Sequence, residues 1–179
     1  MTDQPVILFD YDDGWVARFI ELEGELRGVL GGRVGELTGV EHIGSTAVVG
    51  LAAKEIIDIL IGVRALEIVN ERWVSILEGL GYRYIAKHEV ELPMRRYFAR
   101  DRGVCGAKIG SHLHIVEPGS GFWRDHLVFR DYLRGHEDAA REYEELKRRL
   151  VDQFRYHRKE YTEGKGGFIT GIVEKVISC

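Results

Sequence analysis

Cysteine and proline are scarce in this chain of 179 residues, which has 2 Cys and 3 Pro. Cys105 and Cys179 form no C-x-x-C pair, so a disulfide framework is not expected and a reducing, cytoplasmic setting is. No Pro- or Ser-rich linker divides the chain, which reads as a single domain over residues 1–179. Long apolar runs are missing too. None approaches the ~20 residues of a membrane span, and Met1-Thr2-Asp3-Gln4-Pro5 lacks the basic and apolar segments of a leader peptide. No membrane association is expected. Nor is there an excess of positive charge: the formal net charge is −4. A chain of that sign is a poor default partner for long nucleic acid, whose binders neutralise many phosphates. Three common site templates are also absent. There is no G-x-x-x-x-G-K-[ST], no G-x-G-x-x-G after a strand and no G-x-S-x-G elbow.

What remains is an ordinary globular mixture, with 45% hydrophobic and 30% charged residues and 22 Gly. Trp15, Phe19, Leu22, Leu26 and Leu30 recur at helical spacing and predict a helix from about Asp13 to Leu30. Asp12 or Asp13 is placed to cap it, and Gly31-Gly32 ends it. Val40 to Ile43 reads as a short strand, and Ile56 to Ile61 as a strand covered on both faces. A second helix is expected over about Leu66–Leu80. Strands are expected at Tyr82–Val90, Met94–Arg100 and Ile109–Glu117, with a Gly103–Gly106 hairpin turn between the last two. Beyond them come helices at about Trp123–Arg134 and Glu137–Arg155, a Glu163–Gly167 loop, and a helix near Phe168–Ile177. This order predicts an α+β domain, a mixed β-sheet flanked by helices with a helical C-terminal layer.

Three groups of residues carry candidate chemistry. The first is Gly44-Ser45-Thr46 at a strand end, followed by Lys54 and Asp58. Such a turn can aim backbone N–H and hydroxyl donors at an anion, and Lys54 adds charge. An acid inside an Ile/Leu run needs a metal, a cation or hydrogen bonds. The alternative is a capped turn with Asp58 in a structural ion pair. The second is His112-Leu113-His114, whose alternation puts both imidazoles on one sheet face, able to share a metal or phosphate. Asp58 and His42 are the natural third ligands. A plain pair of histidines on a polar sheet face is the other reading. The third is basic: Arg95-Arg96 in a strand, Arg130 with Asp131 in a helix, and Lys165 in a glycine loop, all suited to phosphate. Against this, Arg130 and Asp131 can form a helix-docking ion pair, and Lys165 can sit in a plain surface loop.

His42-Ile43-Gly44-Ser45-Thr46-Ala47-Val48, Gly50-Leu51-Ala52-Ala53-Lys54 and Ile57-Asp58-Ile59 resemble the signature of the GrpB family. So do His112-Leu113-His114-Ile115-Val116-Glu117, Phe129-Arg130-Asp131-Tyr132-Leu133-Arg134, Glu142-Tyr143 with Leu146-Lys147, and Tyr161, Gly164-Lys165 and Phe168-Ile169. The resemblance spans nearly the whole chain and implies a nucleotidyltransferase-like fold. In that superfold Gly44 and Ser45 would hold nucleotide phosphates, and Asp58 would bind a divalent metal, expected to be Mg. The implied activity is transfer of a nucleotidyl group from an NTP to a hydroxyl or amine acceptor. Asp58, His112 and His114 would be catalytic, with His112 or His114 as general base and Asp58 and His114 on the metal. Gly44, Ser45, Thr46, Lys54, Arg96, Arg130 and Lys165 would bind the phosphates. The chain departs from the pattern in two places. Ile56 and Leu60 stand where a second acid would flank Asp58, and Val49 and Glu55 stand where relatives carry Pro. The missing acid leaves a second expectation open, a catalytically degenerate module binding a nucleotide or small phosphorylated metabolite. A third is a transition-metal hydrolase on His42, Asp58, His112 and His114.

Overall fold

Residues 5–32 and 35–178 are described by the computed structural model. Met1–Gln4 and Cys179, read above for a leader and for thiols, lie outside them. Strands β1 (Leu37–Ile43), β2 (Ile56–Val63), β3 (Arg83–Tyr84), β4 (Arg96–Arg100) and β5 (Gly110–Val116) form one sheet in the order β1-β2-β5-β4-β3. β2 and β5 run parallel, and the other neighbours are antiparallel. A strand covered on both faces has to be apolar on both, which is why β2 is a near-continuous β-branched run. Its Ile57, Ile59, Leu60, Ile61 and Val63 are all fully buried.

One face of the sheet is closed by α1 (Gly14–Leu30) and by a helical stretch after β2. Trp15, Leu22, Leu26 and Leu30 of α1 meet Ile57, Ile59, Ile61, Phe98, Leu113 and Ile115 in the main core. The Asp12 carboxylate accepts from Gly14 N at 2.8 Å and so fixes the first turn of α1. The stretch after β2 is one continuous run, as its periodicity predicts. It is built of α2 (Leu66–Ile68), a π-helical turn Val69–Trp73 and α3 (Val74–Gly79). The wide turn keeps Val69, Trp73 and Leu77 all on the core side.

The opposite face is shared by the C-terminal helices α4 (Gly121–Gly135), α5 (Glu137–Phe154), α6 (Arg158–Glu163) and α7 (Gly166–Ile177). Phe122, Trp123 and Leu127 of α4 cover Ile43, Leu60 and Val116. A further apolar cluster, with Val48, Leu51, Leu133, Tyr143 and Ile172, joins the helices to the segment after β1. This face is therefore sealed at the Leu60–Val116 end and polar where Asp58, His112 and His114 stand. Among the described residues, no helix is long and apolar enough to cross a membrane.

Two local expectations are corrected. Tyr82–Val90 is not one strand: only Arg83–Tyr84 pairs with β4, and Ala86–Glu89 is a 3-10 turn. Glu89 draws the chain back, accepting from the Tyr84 hydroxyl and from Arg96 at 3.2 Å. Residues 158–163 form a helix that periodicity does not signal, and the expected loop shrinks to a Gly164-Lys165 turn between it and α7. Leu113 lies at the centre of the sheet and is fully buried. Leu113→Ala should lower the unfolding free energy by about 2–5 kcal/mol, read from urea denaturation with an unchanged m-value.

Candidate functional site

The parallel register sets Asp58 beside His112 and Leu60 beside His114. Tyr97 of β4 pairs with His114 on the other side. Residues paired in register share a face, so Asp58, His112, His114 and Tyr97 project together toward the C-terminal helices. His112 Nδ1–H donates to Asp58 Oδ1 at 3.1 Å, and His114 Nε2 lies 3.6 Å from the same oxygen. On its other side, His114 Nδ1 accepts from Arg95 Nη1 at 3.1 Å. A guanidinium can only donate, so the His114 proton sits on Nε2 and faces Asp58. Burial, opposed by the Asp58 hydrogen bond and charge, lowers the His114 pKa to about 4. Burial raises the Asp58 pKa, but the hydrogen bonds from His112 and His114 outweigh it and hold the carboxyl well below the usual range. The tautomer assigned to His112 leaves its Nε2 with a free lone pair. A carboxylate-oriented imidazole of this kind is a competent general base.

The Gly-Ser turn closes on the same carboxylate. Gly44 has φ +72°, and a Cβ there would stand 2.7 Å from Asp58 Oδ2. Both the backbone conformation and the contact require glycine. The neighbouring Ser45 Oγ is hydrogen-bonded to Lys147 Nζ at 3.1 Å and also to Tyr143. Lys147 donates in addition to the Ala52 carbonyl. It is 1% exposed. Burial, opposed by Glu144 and reinforced by Lys165 and Arg148, lowers its pKa to about 7.

More cations complete the cleft. Lys54 and Lys165 lie over the Tyr161 ring, at 5.8 and 4.7 Å from its centroid. Burial and repulsion from Lys54, opposed by attraction to Asp58, lower the Lys165 pKa to about 8. Arg158, at the start of α6, repels both lysines. Arg95 is held between the rings of Tyr97 and Phe122, at 4.9 and 5.3 Å. Among the described residues, none of Lys54, Arg95, Lys147, Arg158 and Lys165 is in an ion pair with a carboxylate. Asp58 attracts Lys54 and Lys165, while Glu144 attracts Lys147 and Glu91 attracts Arg95.

The residues singled out from the sequence divide accordingly. Gly44, Ser45, Lys54, Asp58, His112, His114 and Lys165 converge. His42 does not: it pairs with Ile59 in register and faces the main core, stacked on Phe19. Its Nε2 bonds Thr46 Oγ1 at 3.0 Å, and Thr46 in turn donates to the Ile56 carbonyl at 3.3 Å. The Thr46 hydroxyl is thus spent inside the fold and is not offered to a ligand. Arg96 points away, binding Asn70 at 2.8 Å and Glu89 on the opposite face, and Arg95 stands in the position expected of it. Arg130 is consumed by Glu41 at 2.8 Å, by Asp131 at 2.7 Å and by the His42 carbonyl at 3.0 Å. It docks α4 on β1, which is the structural alternative given above. Among the described residues, no three His, Cys, Asp or Glu side chains are placed to hold a metal ion. Sequence reasoning missed the roles of Lys147, Arg158, Tyr161 and His126, whose ring lies 6.2 Å from that of His114. No spacing rule links those late helical residues to strand β2.

Comparison with known proteins gives one answer. The model of the family described as "GrpB protein" matches residues 5–175. The chain is 37% identical over 159 residues to the UPF0157 protein YqkA of Bacillus subtilis, spanning 89% of this chain but 43% of that relative. It is 30% identical over 171 residues to the glutamate-rich protein GrpB of Alkalihalophilus pseudofirmus, covering 96% of this chain and 95% of that one. The crystal structure of GrpB from Enterococcus faecalis superposes with a TM-score of 0.81 at 34% identity, covering 96% of this chain and 98% of that one.

Acid should attack the fold through two imidazoles. Burial lowers the pKa of His42, like that of His114, from 6.5 to about 4. The unfolded chain therefore binds more protons than the folded one between those values, and stability falls as the pH drops from about 6.5 to 4. Each group contributes on the order of 3 kcal/mol across that window. Urea midpoints measured from pH 7 to pH 4 should fall steeply, and His42→Gln should flatten the slope. NMR titration should show both rings neutral at pH 5.5.

Proposed function

This chain belongs to the GrpB family, and we propose that its cleft binds the phosphates of a nucleotide or small phosphorylated metabolite, with His112 as the base for group transfer. The observation that carries this reading is the gathering of Lys54, Arg95, Arg158 and Lys165, none of them in an ion pair among the described residues, on the side of the sheet where Asp58 stands. Like charges held together in partial burial oppose folding, and an anion of more than one charge relieves them. Lysine ammonium groups suit phosphate oxygens as point charges, and Arg95 adds planar donors. The Gly44–Ser45 turn brings backbone close to the same space. His112, oriented by Asp58, can take the proton of an attacking hydroxyl or amine.

A protein-held Mg²⁺ does not fit this donor set. Mg²⁺ prefers oxygen ligands in octahedral geometry. Asp58 offers one carboxylate whose Oδ1 faces two imidazoles, and the flanking strand positions are the apolar Ile56 and Leu60. Charge neutralisation in this proposal therefore comes from the lysines and arginines. Nucleotidyl transfer from an NTP is the second reading. It is favoured by the approach of Gly44 to Asp58 Oδ2, which joins the phosphate turn to the acid.

Calorimetry against ATP, CTP, GTP, UTP and coenzyme A precursors, with and without Mg²⁺, tests the proposal. At least one should bind. Lys165→Met should weaken that binding by ~10-fold or more, the worth of one charge-assisted contact, without lowering the melting temperature of the free protein. Unchanged affinity in Lys165→Met, or no binding by any of them, sinks it. Pyrophosphate release that Asp58→Asn abolishes would select nucleotidyl transfer.

A further inference from the structure

The pairing of Ser45 with Lys147 has no part in the acid–base scheme built on His112. We propose that Ser45 Oγ is a nucleophile, with Lys147 Nζ as its general base, for attack on the phosphorus of a phosphoric anhydride held in the cleft. This rests on the reading of the cleft as a phosphate site.

The geometry is that of an activated hydroxyl. Lys147 is almost fully buried on α5, 3.1 Å from Ser45 Oγ, and bonded to the Ala52 carbonyl. Among the described residues it has no carboxylate partner at ion-pair distance. An ammonium buried in that way is costly, and the neutral amine is the cheaper form. A neutral amine can donate to the Ala52 carbonyl while its one lone pair takes the Ser45 proton. The groups facing it are Glu144, Arg148 and the Tyr143 ring from α5, and Lys165 from the start of α7. Two of these repel a proton on Nζ and Glu144 attracts one. Ser45 itself is partly exposed and adjoins Gly44, which touches Asp58.

The step balances without a further reagent. The Oγ–P bond forms, the P–O bond to the leaving phosphate or pyrophosphate breaks, and the Ser45 proton passes to Lys147. The leaving oxygen keeps the bonding pair and is neutralised by Lys54 and Lys165. In the second half, an acceptor hydroxyl gives its proton to His112 Nε2 and attacks phosphorus. The Oγ–P bond breaks, and Lys147 returns the proton to Ser45. Two bases, on α5 and on β5, would then serve the two halves. A purely structural Lys147, bridging Ala52 and Ser45, would need donors but no basic form.

A fluorophosphonate probe on the full chain distinguishes these. It phosphonylates an activated serine with loss of fluoride, so it reads the nucleophile without knowledge of the natural anhydride. Tandem mass spectrometry should find the adduct on Ser45. The labelling rate should rise with pH through about 7, as Lys147 loses its proton. Lys147→Arg keeps charge and donors but is no base at accessible pH, and should slow labelling by ~100-fold or more. No Ser45 adduct on the wild-type chain overturns the proposal, as does a rate that ignores pH or survives Lys147→Arg. If Lys147→Arg fails to fold, the wild-type pH profile decides. Calorimetry on the same sample separates this from the binding proposal. Nucleotide binding without Ser45 labelling overturns the nucleophile alone. Labelling in a protein that binds no phosphorylated ligand overturns the anhydride as substrate class.

Discussion

The parallel pairing of β2 with β5 is the constraint on which the site depends. Both strands are buried on both sides for most of their length, so their register is fixed by the fit of Ile57, Ile59 and Ile61 against Leu113 and Ile115. A shift of one residue would turn those side chains out of the core, an expensive exchange. The same register, read on the opposite face, sets Asp58 against His112. The apolar core on one face thus pins the one contact on the other that keeps a carboxylate ionised inside a sheet. The site has no scaffold of its own and uses the parity of the core.

That dependence explains why the C-terminal helices matter. They bring Lys147, Arg158 and Lys165 to the part of the sheet face where Asp58 stands. The packing of Leu133, Tyr143 and Ile172 against Val48 and Leu51 holds those helices there. Apolar contact therefore brings together charges that repel one another. Two of them, Lys54 and Lys165, lie over the Tyr161 ring. Cation–π contact offsets part of that repulsion but leaves the ammonium groups free to meet an anion.

Most of the fold was legible because it follows periodicity. The α1 stripe, the buried β2 run and the alternating His112 and His114 each repeat at the spacing of their element. What was not legible was parity at single positions. Arg95 and Arg96 are equivalent in composition, yet pairing with β5 sends Arg96 to one face and leaves Arg95 beside His114 on the other. His42 and His112 both neighbour β2, but His42 is in register with Ile59 and His112 with Asp58, so they lie on opposite faces. Thr46 follows Ser45 directly, and one hydroxyl enters the cleft region while the other is absorbed by His42. Lys147 lies 102 positions from Ser45, a distance over which no local pattern carries information.

The acidic net charge and the basic cleft are reconciled by where the carboxylates are spent. Glu36 binds Arg72, Glu25 binds Arg100, Glu41 binds Arg130, and Glu55 binds Arg102, all outside the cleft. Glu144, the acid of α5 that attracts Lys147, is turned to Arg148 and to the Ala52 amide. These ion pairs range from the exposed Glu55–Arg102 pair, which adds little stability, to pairs that hold the buried Glu36 and Arg100. Their effect here is to occupy the acids that could otherwise fold back onto Lys54, Lys147 and Lys165. A chain with more acids than bases can in this way keep a local field of the opposite sign, provided each acid near the cleft has an arginine that holds it more closely than the cleft lysines do.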